Sequence, residues 1–388
     1  MAPDTQGSPF EVFAAFLKLG VASFGGPVAH IGYFRNEFVQ RRAWLDERAY
    51  ADLVALCQFL PGPASSQVGF SIGLMRAGYA GGLAAWTGFT VPSAILMVLF
   101  AYGAGALGGP LGMGVLHGLK LVAVAIVAQA VWGMARSLCP DRTRATIAGV
   151  ATILNLFGAS GLVQVGTILL GALAGWVVCR EAQGAPAGKL SIPVSYKVGF
   201  GAAALYLLLL IVLPALPGLA LVDAFYRSGA LVFGGGHVVL PLLREAVVAP
   251  GWVGDDAFLA GYGAAQAVPG PLFTFSAYLG AMAGGLPGAA IGLVAIFLPG
   301  MLALIGALPF WDLLRTKVSA QAVMRGVNAA VVGLLGAALY NPVWTGSVKA
   351  PADFAIALAG FVLLTVWKAP PLVVVILSAA AGGALAVL

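Results

Sequence analysis

Apolar stretches long enough to cross a lipid bilayer recur along the chain, with short polar segments between them. A spanning helix needs about 20 apolar residues. Five uninterrupted stretches reach this length: 79–103, 113–135, 197–216, 286–308 and 321–340. Two longer stretches, 145–180 and 351–388, each have room for two short helices, with breaks near Gly158–Gly161 and at Ala369-Pro370-Pro371. This pattern predicts an all-α polytopic membrane protein.

Four further apolar segments carry glycine or proline near their centres, so each piece is too short to cross a bilayer comfortably alone. They are 10–27, 45–76, 221–236 and 256–283. Such interruptions predict broken or re-entrant helices, and ten to thirteen helical segments in all. Ser8-Pro9-Phe10-Glu11 is a capping box that begins the first helix. The preceding residues lack a basic region and a cleavage site, so we expect no cleaved signal peptide.

The chain contains an internal repeat. Phe24-Gly25-Gly26 recurs as Phe233-Gly234-Gly235, and Pro61-Gly62-Pro63 recurs as Pro269-Gly270-Pro271. The same spacing pairs Arg35 with Arg244, Trp44 with Trp252, Gln58 with Gln266, and Pro92 with Pro299. The offset drifts only from 209 to 207 residues along the unit. The repeat predicts two homologous transmembrane halves, residues 1–190 and 191–388.

Composition excludes a soluble, disordered, fibrous or disulfide-stabilised protein. Hydrophobic residues make up 61% of the 388 positions and charged residues 9%, whereas ordinary soluble domains carry roughly a quarter charged residues. The net charge is +6, but the Lys and Arg residues lie between apolar segments. That placement is typical of membrane topology and not of nucleic-acid binding. The 54 glycines suit closely packed transmembrane helices.

The basic residues predict opposite orientations for the two halves. In the first half, loop 35–48 holds four Lys or Arg, loop 104–112 none and loop 136–144 three. The equivalent loops of the second half hold one, two and one. If basic loops face the cytoplasm, an odd number of crossings separates equivalent points, and the halves form an inverted repeat. Inverted repeats with interrupted helices are typical of secondary transporters.

The first recurring motif predicts a helix break close to a ligand. Adjacent glycines at membrane depth interrupt a helix and let its backbone approach a ligand or another helix. Pro27 can open the next helix, whose free N–H groups would form an anion site. Tight packing of backbones is the alternative. The candidate binding residues are Ser23, Gly25, Gly26, Pro27 and His30, and in the second half Gly234, Gly235 and Gly236.

The second motif, Pro-Gly-Pro, forces a break between two short helical pieces, because proline lacks an N–H donor and glycine permits a sharp turn. In the first half it is followed by hydroxyl and amide groups that could donate to an oxyanion. Helix capping and interhelical hydrogen bonds are the alternative. The candidate residues are Gln58, Pro61, Gly62, Pro63, Ser65, Ser66 and Gln67, with Gln266, Pro269, Gly270 and Pro271 as counterparts.

Charged residues inside apolar segments favour an anionic substrate. Lys18 and Arg227 stand at equivalent positions before each Phe-Gly-Gly, and Lys120 lies in a long apolar run. Charges in lipid are costly and point to function, while snorkelling to an interface is the alternative for both lysines. Asp52 and Asp223 are the main acidic candidates. Motifs for nucleotide binding, metal binding and hydrolysis are absent from the sequence, so we expect no enzyme activity, cofactor or metal.

These motifs resemble those of the chromate ion transporter family in its long, two-domain form. The resemblance rests on FGGPVAHIGYFRNEFV and WLDERAYADLVALCQFLPGPASSQVGFSIGLMRAGYAGG in the first half, and on FGGGHVVLPLL and QAVPGP in the second. It implies a multi-pass inner-membrane transporter that exports chromate and confers chromate resistance, with sulfate as a related substrate. The residues that match the family's first-half pattern are the motif glycines and prolines, His30, Arg35, Gln58, Ser65, Ser66 and Gln67. The second half is looser, because the Ser-Ser-Gln is missing there.

We hypothesise a secondary transporter for a tetrahedral oxyanion, with a site near the bilayer midplane where the halves meet. Broken-helix N-termini would donate N–H groups, and Lys18, Arg227 and Lys120 would balance the charge. Segment 30–44 predicts an amphipathic surface helix that contacts lipid headgroups, or else gates or recruits substrate. A proton or anion counter-substrate and a homodimer stay open, as do an oxyanion channel, a sulfate-type transporter and a non-transporting sensor. No nucleic-acid partner is expected.

Overall fold

The computed structural model describes residues 7–104, 109–158, 160–180, 194–233, 236–311 and 316–387. Within these ranges the chain forms fifteen α-helices of nine residues or more. They are α1 (Pro9–Ala22), α2 (Gly26–Phe34), α3 (Glu47–Phe59), α4 (Ala64–Ala104), α5 (Gly109–Leu138), α6 (Arg142–Phe157), α7 (Gly161–Val178), α8 (Tyr196–Val212), α9 (Ala220–Ala230), α10 (Val239–Val247), α11 (Asp255–Ala265), α12 (Phe275–Ala307), α13 (Val318–Ala338), α14 (Pro351–Thr365) and α15 (Pro371–Leu385).

The apolar pattern predicted these elements closely. Each of the five uninterrupted stretches matches a helix to within a few residues, and helices break between Phe157 and Gly161 and between Thr365 and Pro371, as expected. In the described ranges, six helical segments are long and apolar enough to cross a membrane. The segments outnumber the expected ten to thirteen, because the short pieces on each side of a break are separate helices. The first helix begins as predicted, with the Ser8 hydroxyl accepting from the Glu11 N–H at 3.1 Å.

The two longest helices each fold back on themselves. In α4 the helical dihedral angles fail at Ala77 and Gly78, and in α12 they fail at Gly284 and Gly285, an offset of 207 residues. The arms pack tightly on each other: a Cβ on Gly73 would lie 2.3 Å from the carbonyl oxygen of Gly81. Glycine is needed at such a contact because any side chain would hold the two backbones apart. Each long helix is therefore a hairpin of a short arm and a spanning arm.

The helix order shows the repeat directly. Helices α1–α7 correspond in order to α9–α15, and α8 lies between the two series without a counterpart in the described chain. Most of α8 is exposed on the outside of the bundle, as suits a helix that faces lipid. Helix α8 adds one crossing between the two homologous halves, which inverts the second half when each half itself crosses the membrane an even number of times. The predicted boundary at residues 190 and 191 lies outside the described residues, so that position stays a prediction.

The two halves interdigitate through reciprocal helix exchange. Helix α5 of the first half packs on α14 and α15, and α13 of the second half packs on α6 and α7. The contacts are made by small residues: a Cβ on Gly118 would lie 2.2 Å from the Ser378 carbonyl oxygen, and one on Gly326 would lie 2.0 Å from that of Gly171. These pairs are equivalent in the repeat. A two-fold pseudosymmetry therefore relates the halves.

Candidate functional site

The recurring motifs meet across the interface between the halves. The N–H of Gly62 in the first Pro-Gly-Pro donates to the carbonyl of Val232 at 2.8 Å. The N–H of Gly270 in the second Pro-Gly-Pro donates to the carbonyl of Ser23 at 2.9 Å. Val232 and Ser23 immediately precede the two Phe-Gly-Gly motifs. Each Pro-Gly-Pro loop thus closes the helix break of the opposite half, and the two breaks form a single centre.

Each Pro-Gly-Pro loop also rests on the spanning arm of the opposite half. Gly62 and Gly270 adopt φ values of +110° and +91°, which favour glycine. A Cβ on Gly62 would lie 2.8 Å from the Cα of Gly300, and one on Gly270 would lie 2.2 Å from the Ser93 hydroxyl. Ser93 and Gly300 both follow a proline inside the helix and are equivalent in the repeat. The close approach sets the separation of the halves at the centre.

The polar residues of the first half hold this centre together. His30 is fully buried, with Nε2 3.3 Å from the Ser23 carbonyl and Nδ1 3.4 Å from the Ser65 hydroxyl. A carbonyl can only accept, so Nε2 carries the proton and Nδ1 accepts from Ser65. Gln67 Nε2 donates to the carbonyls of Pro61 at 2.9 Å and Gly300 at 2.8 Å. Both amide protons of Gln67 therefore stabilise the loop and its contact with α12.

A small cavity of about 50 Å³ opens beside the centre, between α2, α5 and α11. The first half contributes the backbone of Gly25 and Gly26 and the side chain of Gln129. The second half contributes Gln266, His237 and the backbone of Gly270, and the remaining described lining residues are apolar: Ile126, Ala265, Val268, Leu272 and Pro371. None of these described lining residues carries a formal charge. Among the described lining residues, the Phe-Gly-Gly motif is represented only by its first copy and the Pro-Gly-Pro motif only by its second.

Several polar groups of the cavity can donate hydrogen bonds, whereas the amide nitrogen of Gln129 is directed away to the Leu364 carbonyl at 3.3 Å. Helix α2 begins at Gly26 after a left-handed Gly25, and no side chain caps it. The first-turn N–H groups of a helix lack partners within the helix and carry the positive end of its dipole. Gln266 Nε2 is buried and has no acceptor in the described chain. His237 Nδ1 lies 2.6 Å from the Tyr262 hydroxyl. Such a donor set suits an oxyanion.

The predicted cations lie away from this cavity. Lys120 pairs with Asp256 at 2.8 Å, and Arg227 pairs with Asp223 at 2.5 Å. Arg227 lines a separate cavity of about 520 Å³ between α7, α9 and α10. Lys18 is exposed on the outer face of α1. The structure therefore brings together the glycines of the two motifs and Gln266, but not the three cations.

The remaining predicted residues take several positions. Ser66 is buried with its hydroxyl unpartnered in the described chain, whereas Gln58 is exposed, unlike its counterpart Gln266. Gly236 packs against Pro27, since a Cβ there would lie 3.3 Å from the proline ring. The prolines Pro61, Pro63, Pro269 and Pro271 flank the loop glycines. Gly234 and Gly235 lie outside the described residues.

The predicted amphipathic segment lies partly at the surface of the bundle, and its contact with lipid headgroups stays a prediction. Its π-helical turns, Arg35–Arg41, bury Glu37 and Phe38 and expose Arg35 and Arg41. Burial opposes ionisation of the Glu37 carboxyl, but hydrogen bonds from Arg42 and Arg41 outweigh it and hold its pKa below the ordinary value. The surface arginines are therefore largely engaged in ion pairs.

Sequence reasoning missed an ion pair that the repeat conserves in both halves. Arg35 bonds Glu47 at 2.6 Å, and Arg244 bonds Asp255 at 2.8 Å. The carboxylates align at an offset of 208 residues, like the motifs, so the repeat contained the signal. His237 and Gln129 were missed as cavity residues because their counterparts in the repeat, Val28 and Ala337, are apolar.

Comparisons with known proteins agree over both halves. The model of the family described as chromate transporter matches residues 10–176 and again residues 219–383. The chromate transport protein of Pseudomonas aeruginosa is 31% identical over 388 aligned residues, which cover 95% of this chain and 90% of that protein. A probable chromate transport protein of Synechococcus elongatus is 26% identical, with 84% and 82% covered. The chromate transport protein of Cupriavidus metallidurans is also 26% identical, with 84% and 80% covered. No solved structure matches significantly.

Proposed function

The chain belongs to the chromate transporter family, and we propose that it exports chromate from the cell through the cavity between its two halves, conferring chromate resistance. It is a multi-pass protein of the plasma membrane. The relatives named chromate transport protein match along most of their length, which supports transfer of the substrate to this chain. Sulfate, a dianion of the same tetrahedral shape, is the second candidate substrate.

The observation that carries the proposal is the donor-lined cavity at the crossing of the motifs. Its volume of about 50 Å³ compares with the roughly 10–15 Å³ that one ordered water requires, so a single small oxyanion fits the space. The uncapped start of α2 and the unpartnered Gln266 Nε2 supply donors. Because the described lining residues include no carboxylate, the site would not repel a dianion electrostatically.

The cavity's composition also supports movement between the halves as the transport step. Gly25 and Gly26 belong to the first half, and Gln266 and Gly270 belong to the second. A rigid displacement of one half against the other would separate these donors and release the anion. Gln58 is exposed while its counterpart Gln266 is largely enclosed, so the two equivalent sides of the centre differ in access. In alternating access through inverted repeats, the two halves exchange conformations, so that the enclosed side becomes accessible and the accessible side becomes enclosed.

Energetics favours the outward direction. Moving one charge through a potential of 100 mV is worth about 2.3 kcal/mol. A dianion leaving a cell whose interior is negative therefore gains about twice that amount per 100 mV. Export needs no coupled ion on these grounds, and uptake would need one.

Flux measurements in everted vesicles test the proposed function. Vesicles from cells that produce the protein should take up chromate saturably when the lumen is positive, and sulfate should compete. Vesicles from cells without the protein are the control. Uptake no greater than the control would contradict the proposal, and uptake that never saturates would favour a channel. Competition by sulfate together with stronger sulfate uptake would identify a sulfate-type transporter.

The pair of Lys120 and Asp256 should act as a contact between the halves. It joins α5, which carries Gln129, to α11, which ends immediately before Gln266. Close packing of Gly263 on the Leu119 carbonyl lies beside it. Asp256 is mostly exposed, so the pair is worth at most about 1 kcal/mol. Asp256→Asn, Lys120→Met and the double variant should therefore change the transport rate by a similar factor, below about fivefold.

The control for this experiment is Asp141→Asn, which removes an ion pair with Arg144 inside one half and should leave transport unchanged. A large loss in Lys120→Met with normal transport in Asp256→Asn would instead assign Lys120 to substrate binding. Chromate flux at matched protein levels in the membrane distinguishes the two outcomes.

A further inference from the structure

A second small cavity lies at another position on the interface between the halves. Its volume is about 40 Å³, and it is enclosed by α6, α7, α10, the end of α13 and the segment that follows. It shares no described lining residue with the cavity that contains Gln266. The polar lining residues are Asn155, Gln164, Arg244, Glu245 and Asn341. The proposed function assigns no role to this cavity.

Two amide oxygens at this cavity lack hydrogen-bond partners. The Oδ1 atom of Asn155 and the Oε1 atom of Gln164 are buried with no donor in the described chain, and the two residues are 9% and 7% exposed. The Asn155 amide cannot be flipped, because its nitrogen donates to the Ala151 carbonyl at 2.9 Å and to Thr167 at 3.0 Å. Its oxygen is therefore the atom left to the cavity. An unsatisfied buried acceptor destabilises the fold, so a ligand that binds these oxygen atoms would be favourable.

A carboxylate adds negative charge to the same cavity. Glu245 accepts a hydrogen bond from the Gly161 N–H at 3.0 Å, and it makes no ion pair in the part of the chain that the structure describes. The neighbouring guanidinium of Arg244 is directed to Asp255, with contacts of 2.8 and 3.2 Å. The carboxylate and the two amide oxygens thus converge on one space without a cation assigned to them.

The backbone at this cavity is irregular in a way that binding sites often require. Residues Leu339–Trp344 form a π-helical turn that contains Pro342, with non-helical dihedral angles at Asn341. Irregular backbone in a membrane protein is tolerated where it lines a cavity, and π-helical turns are frequent at functional sites. Asn341 presents a third amide oxygen, which accepts only a long 3.4 Å hydrogen bond from Thr345.

We propose that this cavity binds a monovalent cation of the size of Na⁺, with Asn155 Oδ1, Gln164 Oε1 and the Glu245 carboxylate as ligands and Asn341 at its edge. Carboxylate and amide oxygens prefer hard cations. A single carboxylate balances a single positive charge. The 520 Å³ cavity also borders Gln164 and Glu245, and so provides a route by which a hydrated ion reaches the site.

The ligands come from both halves, which gives the cation a structural consequence. Asn155 and Gln164 lie on α6 and α7 of the first half, and Glu245 lies on α10 of the second. A bound ion would favour the arrangement in which these helices are close together. An effect of the bound cation on anion flux would rest on the proposed function, whereas the binding of the cation itself does not.

Thermal unfolding of the purified full-length protein in detergent tests the binding, since a ligand of the folded state raises the unfolding temperature. At constant chloride and ionic strength, replacing choline by Na⁺ should raise the Tm saturably. The rise should disappear in Gln164→Leu and in Glu245→Gln. The matched control is Asn328→Leu, which removes another buried, unpartnered amide oxygen away from this cavity and should keep the full Na⁺ response.

The outcomes separate this proposal from the proposed function. Equilibrium binding of radioactive Na⁺ to the unaltered protein provides a second readout that does not depend on how well the variants fold. No saturable Na⁺ binding, a Tm rise equal in Gln164→Leu and the unaltered protein, or stabilisation by Ca²⁺ alone would each overturn the proposal. Chromate flux without any Na⁺ response would leave the oxyanion site standing while removing the cation site. Na⁺ binding without chromate flux would do the reverse.

Discussion

Gly270→Ala should leave little folded protein and abolish transport. The new methyl group would stand 2.2 Å from the Ser93 hydroxyl and 3.1 Å from the Phe89 carbonyl oxygen, so Ser93 would have to rotate and the loop would have to move away from the α4 backbone. The φ of +91° adds strain, about 1–2 kcal/mol for a residue with a Cβ. Moving the loop would also break its hydrogen bond to Ser23. The measurements are the yield of monodisperse protein in detergent, its Tm, and chromate flux.

Two variants control the Gly270 experiment. Gly78 also has a positive φ, +63°, but its Cβ would meet open space, so Gly78→Ala should show the dihedral strain alone and remain folded. Adding Ser93→Gly to Gly270→Ala removes the closest contact and should recover part of the yield. A Tm of Gly270→Ala within a degree or two of the unaltered protein would contradict the packing that we describe at the centre.

Gln266→Glu should eliminate chromate transport without loss of folded protein. The change preserves shape, but it replaces the unpartnered Nε2 donor with a negatively charged acceptor that faces the substrate's charge in a small, enclosed space. Gln266→Ala removes the donor only. A hydrogen bond to a charged group is worth about 1.5–3 kcal/mol, so the alanine variant should bind chromate roughly 10- to 100-fold more weakly. Flux as a function of chromate concentration measures both effects.

The matched control for Gln266→Glu is Gln40→Glu, which makes the same chemical change on the exposed amphipathic segment and should transport normally. Saturable chromate flux with an unchanged KM in Gln266→Glu would remove the small cavity from the transport pathway. The 520 Å³ cavity at Arg227 would then be the next candidate, and Arg227→Gln would test it.

The sequence predicted the elements and the pairing of motifs, but not how the motifs meet. The positions of Gly26 and Gly270 in the two copies are visible from the repeat. The N–H of Gly270 reaches the Ser23 carbonyl, 247 positions earlier in the chain. This contact results from how the halves dock. Hydrophobic periodicity carries no information on docking between distant helices. The contact between the motifs of opposite halves could therefore be found only from the three-dimensional structure.

Charged and amide side chains show the same limit in detail. Lys120 in an apolar run indicates function by its cost in lipid, yet its partner Asp256 lies 136 positions away in the other half. Gln67 has the donors that an oxyanion needs, but the structure directs its amide protons to the carbonyls of Pro61 and Gly300. Residue type indicates what a side chain can bind. Only the geometry shows which partner it has.

The reciprocal helix exchange has a consequence for how the protein is made. When the ribosome has delivered the first half, Gly62 has no carbonyl to bond and the glycine face of α5 has no α15 to cover it. These groups remain without their partners until α9 and then α15 are inserted. The partners of α5 on this face, Ser378 and Gly382, lie in the last helix of the described chain. The seam between the halves therefore closes only after both halves have been inserted, and the cavity at Gln266 forms after insertion.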